Sequence, residues 1–296
     1  MDVLVAVYGH LADERLRDGQ VPGGWRLASR TATLRRPDGG RPAGRPPADP
    51  MVDAHFAEPR LARIYDPLDA DRSDLDVYAA LVHDLGARSV LDVGCGTGTF
   101  ACLLAVRDRD VTGVDPAPAS LAVARRKPGA DRVRWVCGDA TTLPPLAVDV
   151  AAMTGNVAQV FLGDDDWATT LRGIGAALRP GGWLVFETRD PAREAWRGWT
   201  RERTHRRVDI PDAGVVETWI ELTDVRLPLV SFRTTFVFEA DGAVLTSDST
   251  LQFRTRAEVA DSLGAAGFAV HEVRDAPDRP GQELVFVARR REAGHG

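Results

Sequence analysis

The 296-residue sequence has few lysines and cysteines and no long apolar run. Lys127 is its only lysine, which excludes mechanisms that need a second one, and arginine supplies nearly all of the positive charge. The three cysteines, Cys95, Cys102 and Cys137, form no CxxC pair, which argues against a disulfide framework and a zinc site. No apolar run reaches the roughly 18 residues of a membrane span. We therefore expect a protein of the reducing cytoplasm that binds no metal ion and no membrane.

Charge and length narrow the class of protein further. The net charge is −6 at pH 7 and the isoelectric point is about 5.6, which argues against a wide basic surface and therefore against a nucleic-acid partner. The length suits one large domain or a domain with an elaboration. The N-terminal segment has a short apolar run without a preceding basic region or a clear cleavage site, so we expect no export.

Residues 1–50 differ in composition from the rest of the chain. They are rich in glycine, proline and arginine and show almost no apolar periodicity, so they cannot bury enough surface to offset the entropy of ordering. We expect a disordered extension. It is either a dispensable tail, with the functional protein starting at Met51, or an arm that binds a partner. Residues 291–296 are expected to form a flexible tail.

Residues 51–190 and 255–290 together predict one α/β domain. Helical apolar spacing over residues 54–86 precedes strands that alternate with helices, a pattern typical of βαβ units and a parallel sheet. Thr255 and Glu258 predict a capping box at the start of the last helix. The expected helices lie at residues 99–106, 117–127 and 164–178. The expected strands lie at residues 88–93, 110–115, 133–137, 148–153, 183–188, 269–274 and 283–289.

Residues 191–254 interrupt this alternation. We expect a short tryptophan-rich helix over residues 191–199. Period-2 patterns then follow over residues 204–254, with Asp241-Gly242 as a hairpin turn. We predict an antiparallel sheet of three or four strands, inserted after the fifth strand as a lid or substrate subdomain.

Three glycines on alternate positions, Gly94, Gly96 and Gly98, lie between the first strand and its helix. Glycine there permits a positive φ and a close approach of the backbone to a ligand near a helix N-terminus. Several cofactors fit such a loop. A dinucleotide fingerprint needs its third glycine where Thr99 stands, and a P-loop needs a lysine that this loop lacks.

Acidic residues follow the same strands. Asp92 precedes the loop, and Asp115 ends the second strand, where its carboxylate can accept hydrogen bonds from a ribose diol. Asp139 follows the third strand beside Ala140, where it can accept from an adenine amino group. All three carboxylates lie at the carboxyl ends of parallel strands, where open α/β sheets bind ligands. The alternatives are a helix cap for Asp115 and a turn cap for Asp139.

The sequence resembles the class I S-adenosylmethionine-dependent methyltransferases in five stretches, in that family's order and spacing. These are VLDVGCGTGTF, VTGVDPAPASLAVARRK, VCGDATTLP, VDVAAMTGNVAQVF and LRPGGWLVFETRDP. The resemblance covers roughly residues 54–289. It implies a doubly wound, seven-stranded Rossmann-like α/β sheet with the antiparallel β insertion after strand five. It also implies S-adenosyl-L-methionine as the cofactor.

The resemblance assigns roles along the edge of this sheet. The loop from Asp92 to Gly98 would hold the methionyl part of the cofactor, Asp115 its ribose, and Asp139 with Ala140 its adenine. Thr154 and Asn156 would line the methyl-transfer site. The full set of expected cofactor-binding residues is Tyr65, Asp92, Gly94, Cys95, Gly96, Gly98, Asp115, Pro116, Asp139, Ala140, Thr154 and Asn156.

The acceptor side carries a weaker signal, with His205, Asn156 and Arg189 as the catalytic candidates. Arg189 either binds an acidic acceptor or pairs with Asp190, and His205 is either a base or a surface histidine. Two tryptophans, Trp196 and Trp199, either wall a small-molecule site or pack in a core. A general base is needed only if the acceptor holds a proton at the working pH.

The fourth strand ends in MTGNVAQVF, without the Asn/Asp-Pro-Pro-aromatic motif of amino-methylating DNA enzymes and some RNA and protein enzymes. We predict a monomeric or homodimeric methyltransferase that acts at O, N or C of a small molecule. The alternatives are a non-catalytic S-adenosylmethionine-binding protein and an RNA or protein methyltransferase. A nucleotide-binding oxidoreductase is disfavoured by Thr99.

Overall fold

A computed structural model describes residues 52–292. The expected disordered extension over residues 1–50 lies outside the described residues, and so does most of the expected tail at residues 291–296. All structural statements below concern the described part of the chain.

The described residues contain eleven strands in two sheets. The strands are β1 (Ser89–Val93), β2 (Asp110–Asp115), β3 (Val133–Cys137), β4 (Val148–Met153), β5 (Leu178–Arg189), β6 (Arg206–Ile210), β7 (Gly214–Arg226), β8 (Leu229–Phe238), β9 (Val244–Gln252), β10 (Phe268–Asp275) and β11 (Glu283–Arg290). The helices are α1 (Ala54–Ala57), α2 (Pro59–Leu68), α3 (Asp74–Asp84), α4 (Thr99–Val106), α5 (Pro118–Ala124), α6 (Asp164–Ala177), α7 (Arg201–Thr204) and α8 (Arg256–Ala265).

The larger sheet has the strand order β10-β11-β5-β4-β1-β2-β3. Strands β1 to β5 pair in parallel, whereas β11 runs antiparallel to β5 and β10 antiparallel to β11. The predicted seven-stranded α/β sheet is therefore confirmed. Because β1 to β5 are parallel, their carboxyl ends and the loops that follow them meet at one edge of the sheet.

Apolar side chains cover both faces of this sheet. One core packs α3 and α4 against it, and a second core packs α6 and α8. Val185 belongs to the first core and Phe186 to the second, because successive side chains of a strand point to opposite faces. In the range from 52 to 292, no helix combines the length and apolarity that crossing a membrane requires.

The smaller sheet has the order β6-β7-β8-β9 with every pair antiparallel. Its β8 strand buries Phe232, Thr234, Phe236 and Phe238 on one face, as the period-2 pattern predicts. Part of this face packs on α2, and another part packs on the tryptophans of the segment after β5. The smaller sheet is thereby attached to the N-terminal helices as well as to the main sheet.

The structure divides one predicted helical segment and replaces one predicted helix. The helical pattern over residues 54–86 divides into α1, α2 and α3, because Glu58 is extended before Pro59 and residues 69–73 form a turn. The expected helix over residues 191–199 is instead two 3₁₀ turns, since Glu194 between them has a φ of 47°. The capping box of α8 is confirmed: Thr255 accepts from the backbone of Glu258, and Glu258 accepts from the backbone of Thr255.

Helix α6 lies unusually close to the backbone after β3, which generates a stability prediction for Gly173. A Cβ at Gly173 would lie 2.1 Å from the carbonyl oxygen of Ala140. We expect Gly173→Ala to destabilise the fold by about 1–3 kcal/mol through overpacking, although a glycine-to-alanine change inside a helix normally stabilises. Urea denaturation would measure the change.

Gly175 in the same helix provides the matched control. A Cβ there would make an ordinary contact, 3.7 Å from the ring of Phe268. Gly175→Ala should therefore raise the free energy of unfolding by about 0.5–1 kcal/mol. Equal effects of the two substitutions would contradict the close approach of α6 to Ala140.

Candidate functional site

The glycine loop joins β1 to α4. Its three positions are occupied by glycine for different physical reasons. Gly94, Gly96 and Gly98 all have positive φ, at 71°, 52° and 76°. A Cβ at Gly94 would lie 2.7 Å from Val157, and one at Gly98 would lie 2.5 Å from the ring of Trp135. A Cβ at Gly96 would meet nothing within 4 Å. Internal packing therefore requires glycine at 94 and 98, and of the three positions only Gly96 opens onto free space.

Asp115, at the end of β2, holds this loop in place. Its Oδ2 accepts from the Gly96 N–H at 2.8 Å, and its Oδ1 accepts from the Ala117 N–H at 2.8 Å. Burial raises the pKa of this carboxyl above its ordinary value, while the two N–H donors oppose the shift. Two of its roughly four acceptor positions stay available. Pro116 follows on the exposed side.

Asp92 is a buried and strongly perturbed carboxyl at the start of the loop. Its side chain is 1% exposed, and neither carboxylate oxygen has a hydrogen-bond partner among residues 52–292. Burial, with a smaller contribution from the nearby charge of Asp115, raises its pKa to about 7. Because an unpaired buried charge is costly, this carboxylate fits a ligand that brings a cation to the loop. Cys95, buried in the same loop, has a pKa raised by burial, which makes it unreactive.

The turn after β3 carries Asp139 and Ala140. The Asp139 Oδ1 accepts from the N–H of Thr141 at 2.8 Å and from its hydroxyl at 2.6 Å, so this residue does cap a turn. It is half-buried and keeps part of its carboxylate at the surface. Ala140 is buried and is held against Gly173 of α6. Both residues lie at the same edge of the sheet as Asp115.

Helix α2 closes over the glycine loop through Asp66, a residue that the sequence reasoning missed. The Asp66 Oδ1 accepts from the hydroxyls of Thr97 at 2.7 Å and Thr99 at 3.1 Å. Its Oδ2 pairs with the Lys127 ammonium at 2.8 Å, so the only lysine ties α2 to the loop. Tyr65 is half-buried next to Asp66 and packs against the aromatic core of the inserted sheet.

The end of β4 forms a turn around a buried glutamate. Gly155 and Asn156 have positive φ, at 82° and 59°. Both backbone N–H groups donate to the Oε1 of Glu187 on β5. The Asn156 Nδ2 donates to the Oε1 of Glu283 at 3.0 Å, and its Oδ1 is buried without a partner. Thr154 is half-buried directly after β4.

Arg189 lies in the same buried cluster, at the end of β5. Its Nη1 donates to the Oε1 of Gln159 at 2.9 Å, and its Nε lies 3.6 Å from Glu283. Its Nη2 is buried without a partner. The expected alternative, a pair with Asp190, is not formed, because the Asp190 carboxylate accepts from the Ala192 N–H instead.

The structure does not bring His205 into this cluster. It is exposed at the start of the inserted sheet, with its Nε2 3.4 Å from Glu217 of β7 and its ring against Trp219. Trp196 and Trp199 pack in a core with Phe253, so the core-packing alternative describes their contacts. The Arg189 guanidinium lies 5.8 Å from the Trp199 ring.

Glu187 and Glu283 also belong to the site, together with Gln159, and the sequence reasoning missed the two glutamates. Glu283 stands directly opposite Arg189 in the β5–β11 pairing, although the two are far apart in sequence. Gln159 follows Asn156 in the 3₁₀ turn after β4. The signal that points to Glu187 is an acidic residue inside an otherwise apolar strand.

Comparisons with known proteins agree with this geometry. A family described as a methyltransferase domain matches residues 90–182. The malonyl-[acyl-carrier protein] O-methyltransferase of Serratia marcescens is 28% identical over 179 residues, 55% of this chain and 65% of that protein. The ubiquinone/menaquinone biosynthesis C-methyltransferase UbiE of Rubrivivax gelatinosus is 32% identical over 158 residues, 48% of this chain and 61% of that protein. The chain thus spans less than two thirds of the length of these curated relatives.

Solved structures extend the likeness over most of the described chain. The CcbJ methyltransferase of Streptomyces caelestis superposes with a TM-score of 0.63 at 26% identity, covering 79% of this chain and 96% of that one. An S-adenosylmethionine-dependent methyltransferase of Clostridium acetobutylicum has the same fold, with a TM-score of 0.63 at 16% identity over 78% of this chain and 98% of that one. Together with the strand order and the glycine loop, these likenesses support an assignment of the chain to the class I S-adenosylmethionine-dependent methyltransferases.

Proposed function

We propose that this chain transfers a methyl group from S-adenosylmethionine to O, N or C of a small molecule. The observation that carries the proposal is the buried, unpartnered carboxylate of Asp92 beside the open position at Gly96. When bound, S-adenosylmethionine supplies a methyl group activated by a sulfonium. It also brings a cationic group that can pair with the carboxylate of Asp92. The loop, its acids and the family assignment all fit this cofactor.

Different residues of the chain would bind different parts of the cofactor. Asp92 would pair with the cationic amino acid end, Asp115 would accept from the ribose hydroxyls, and Asp139 with Ala140 would frame the adenine. Tyr65, carried on α2, would cover the cofactor, with α2 fixed by the contacts of Asp66 to Thr97 and Lys127. Glycine at position 96 leaves the backbone room to approach.

Catalysis by these residues would consist mainly of alignment. Holding the donor carbon and the acceptor atom in line can lower a barrier by roughly 7–11 kcal/mol. Asn156 and Arg189 lie where they can orient an acceptor at the ends of β4 and β5. The structure does not bring His205 to these residues, so its role as a proton acceptor stays a prediction. A general base is needed only for an acceptor that keeps a proton.

A small-molecule acceptor is favoured by charge and by the inserted sheet. The net charge of −6 disfavours a nucleic-acid acceptor, and the insertion brings a buried aromatic cluster next to Arg189. The two curated relatives are named for malonyl-[acyl-carrier protein] and for ubiquinone/menaquinone biosynthesis. We propose the reducing cytoplasm as the location, in keeping with the three free cysteines, and a monomer or homodimer as the assembly.

Calorimetry with S-adenosylmethionine and, separately, NAD⁺ tests the proposed donor. Micromolar binding of S-adenosylmethionine alone is expected, and binding of NAD⁺ alone would overturn the proposal. Transfer of a labelled methyl group to a pool of small metabolites then separates an enzyme from a non-catalytic binding protein. Label found only in added RNA or protein would identify the rival acceptor classes.

Asp115 should contribute strongly to cofactor affinity. Asp115→Asn removes the negative charge and one acceptor position, and hydrogen bonds to charged groups are worth about 1.5–3 kcal/mol. We expect the Kd for S-adenosylmethionine to rise by roughly 10- to 100-fold, measured by calorimetry. Asp110→Asn, at the exposed opposite end of β2, is the control and should leave the Kd unchanged. Equal affinities of the two variants would refute the ribose assignment.

Asp92 should make cofactor binding depend on pH. With a pKa of about 7, its carboxyl is mostly protonated at pH 6 and mostly ionised at pH 8. A cationic ligand binds the ionised form more tightly, so we expect the Kd to be roughly tenfold higher at pH 6 than at pH 8. Asp92→Asn controls for titration of the ligand itself, which both proteins share. A pH dependence that persists unchanged in Asp92→Asn would rule out this role.

A further inference from the structure

We propose that Arg189 and Asn156 select an acceptor that carries a carboxylate next to the hydroxyl or amine to be methylated. The inference rests on the proposed function and names the substrate class of the same site. It depends on two buried polar atoms that the described residues leave unpartnered, one a donor and the other an acceptor.

The donor is the Nη2 of Arg189. The side chain is 3% exposed, and its other contacts, to Gln159 through Nη1 and to Glu283 through Nε, leave Nη2 alone. A guanidinium presents donors in a planar fork that matches a carboxylate. Buried polar groups are nearly always hydrogen-bonded, so an unused donor at this place indicates a ligand group that accepts.

The acceptor is the Oδ1 of Asn156, whose side chain is 1% exposed. Its Nδ2 is committed to the Oε1 of Glu283, which fixes the orientation of the amide. The free Oδ1 can therefore only accept, and it fits the N–H or O–H of a nucleophile. Asn156 also lies at the end of β4, where the proposed methyl transfer takes place.

The side chains that carry the two unpartnered atoms are linked through one carboxylate. The Glu283 Oε1 lies 3.0 Å from the Asn156 Nδ2 and 3.6 Å from the Arg189 Nε. The ring of Trp199 lies over the guanidinium at 5.8 Å and covers it from the side of the inserted sheet. A single small acceptor can thus reach both atoms.

The charges of the cluster favour a ligand that carries both a carboxylate and a hydrogen-bond donor. Glu283 is shared by Arg189 and Arg279, and Arg279 also pairs with Asp278. Burial raises the pKa of Asp278, which weakens its compensation of the two guanidinium groups. Glu187, held by the N–H groups of Gly155 and Asn156, adds negative charge that favours a ligand with a hydrogen-bond donor beside its carboxylate.

In the transfer itself, the lone pair of the acceptor atom forms the bond to the methyl carbon, and the pair of the breaking carbon–sulfur bond stays on sulfur. The acceptor atom then loses to solvent the proton that it had donated in its hydrogen bond to Asn156. Arg189 and Asn156 change neither charge nor bonding, so their role is to bind and orient.

The test uses the full chain saturated with S-adenosylhomocysteine and titrates it by calorimetry at constant ionic strength. The ligands are small hydroxy and amino acids and the corresponding amides, which lack the carboxylate. We expect each acid to bind at least tenfold more tightly than its amide. Comparing the hydroxy acids with the amino acids shows whether the nucleophile is a hydroxyl or an amine. Acids and amides that bind equally, or acids that fail to bind at all, would overturn the inference without any variant.

Two variants assign the preference to the two residues. Arg189→Gln should abolish the preference for acid over amide and leave the S-adenosylhomocysteine affinity within about threefold. The unmodified chain should prefer lactate, which has a hydroxyl beside its carboxylate, over propanoate, which lacks that hydroxyl. Asn156→Gly, which tolerates the positive φ, should abolish this preference. Retention of either preference in its variant would contradict the assignment. Failure of the unmodified chain to bind S-adenosylhomocysteine would instead count against the proposed function.

Discussion

Carboxylates buried at the carboxyl edge of the parallel sheet impose the constraint on which the rest of the site depends. A desolvated charge needs a partner, and the fold supplies one in different ways. Asp115 takes two backbone N–H groups of the glycine loop and its neighbour, and Glu187 takes two from the turn after β4. Asp92 takes none from the described residues. Backbone N–H groups therefore compensate Asp115 and Glu187, whereas the carboxylate of Asp92 fits the cation that we propose it binds.

This constraint explains the local backbone. The positive φ of Gly96 aims its N–H at Asp115, and the positive φ of Gly155 and Asn156 aims two N–H groups at Glu187. Gly94 and Gly98 serve a different purpose, since Val157 and Trp135 occupy the space that their side chains would need. A run of alternate glycines thus combines one position that is open to free space with two that permit close packing.

The N-terminal helices and the inserted sheet complete the site around this edge. Asp66 links α2 to Thr97, Thr99 and Lys127, and the other side of α2 packs on β8 of the smaller sheet. Tyr65 and Trp199 meet in the aromatic core between them. Arg189 lies beside this core, 5.8 Å from the ring of Trp199, so the proposed acceptor region is built from segments that are distant in the chain. Enzymes of one fold can vary their acceptors in this way, because function resides in the site and not in the fold.

The sequence by itself determined the α/β sheet, the glycine loop and the acids at its edge. These features are local: β2, β3, β4 and α4 begin and end where the apolar runs and glycines indicate. Asp115 is the last residue of β2, and Asp139 lies two residues after β3. The same reasoning failed over residues 191–199, where the positive φ of Glu194 breaks a helix that the pattern favours.

Only the tertiary structure decided how the acceptor side is arranged. Arg189 meets Glu283 because β11 pairs with β5 in one register, and no local pattern encodes a register between strands so far apart. The same holds for Asp66 and Lys127, whose pairing depends on how α2 lies across the loop. The sequence therefore determined which chemistry the sheet edge can hold, because backbone periodicity and strand ends are local properties. Burial and long-range pairing decided which of its polar atoms are left free to bind.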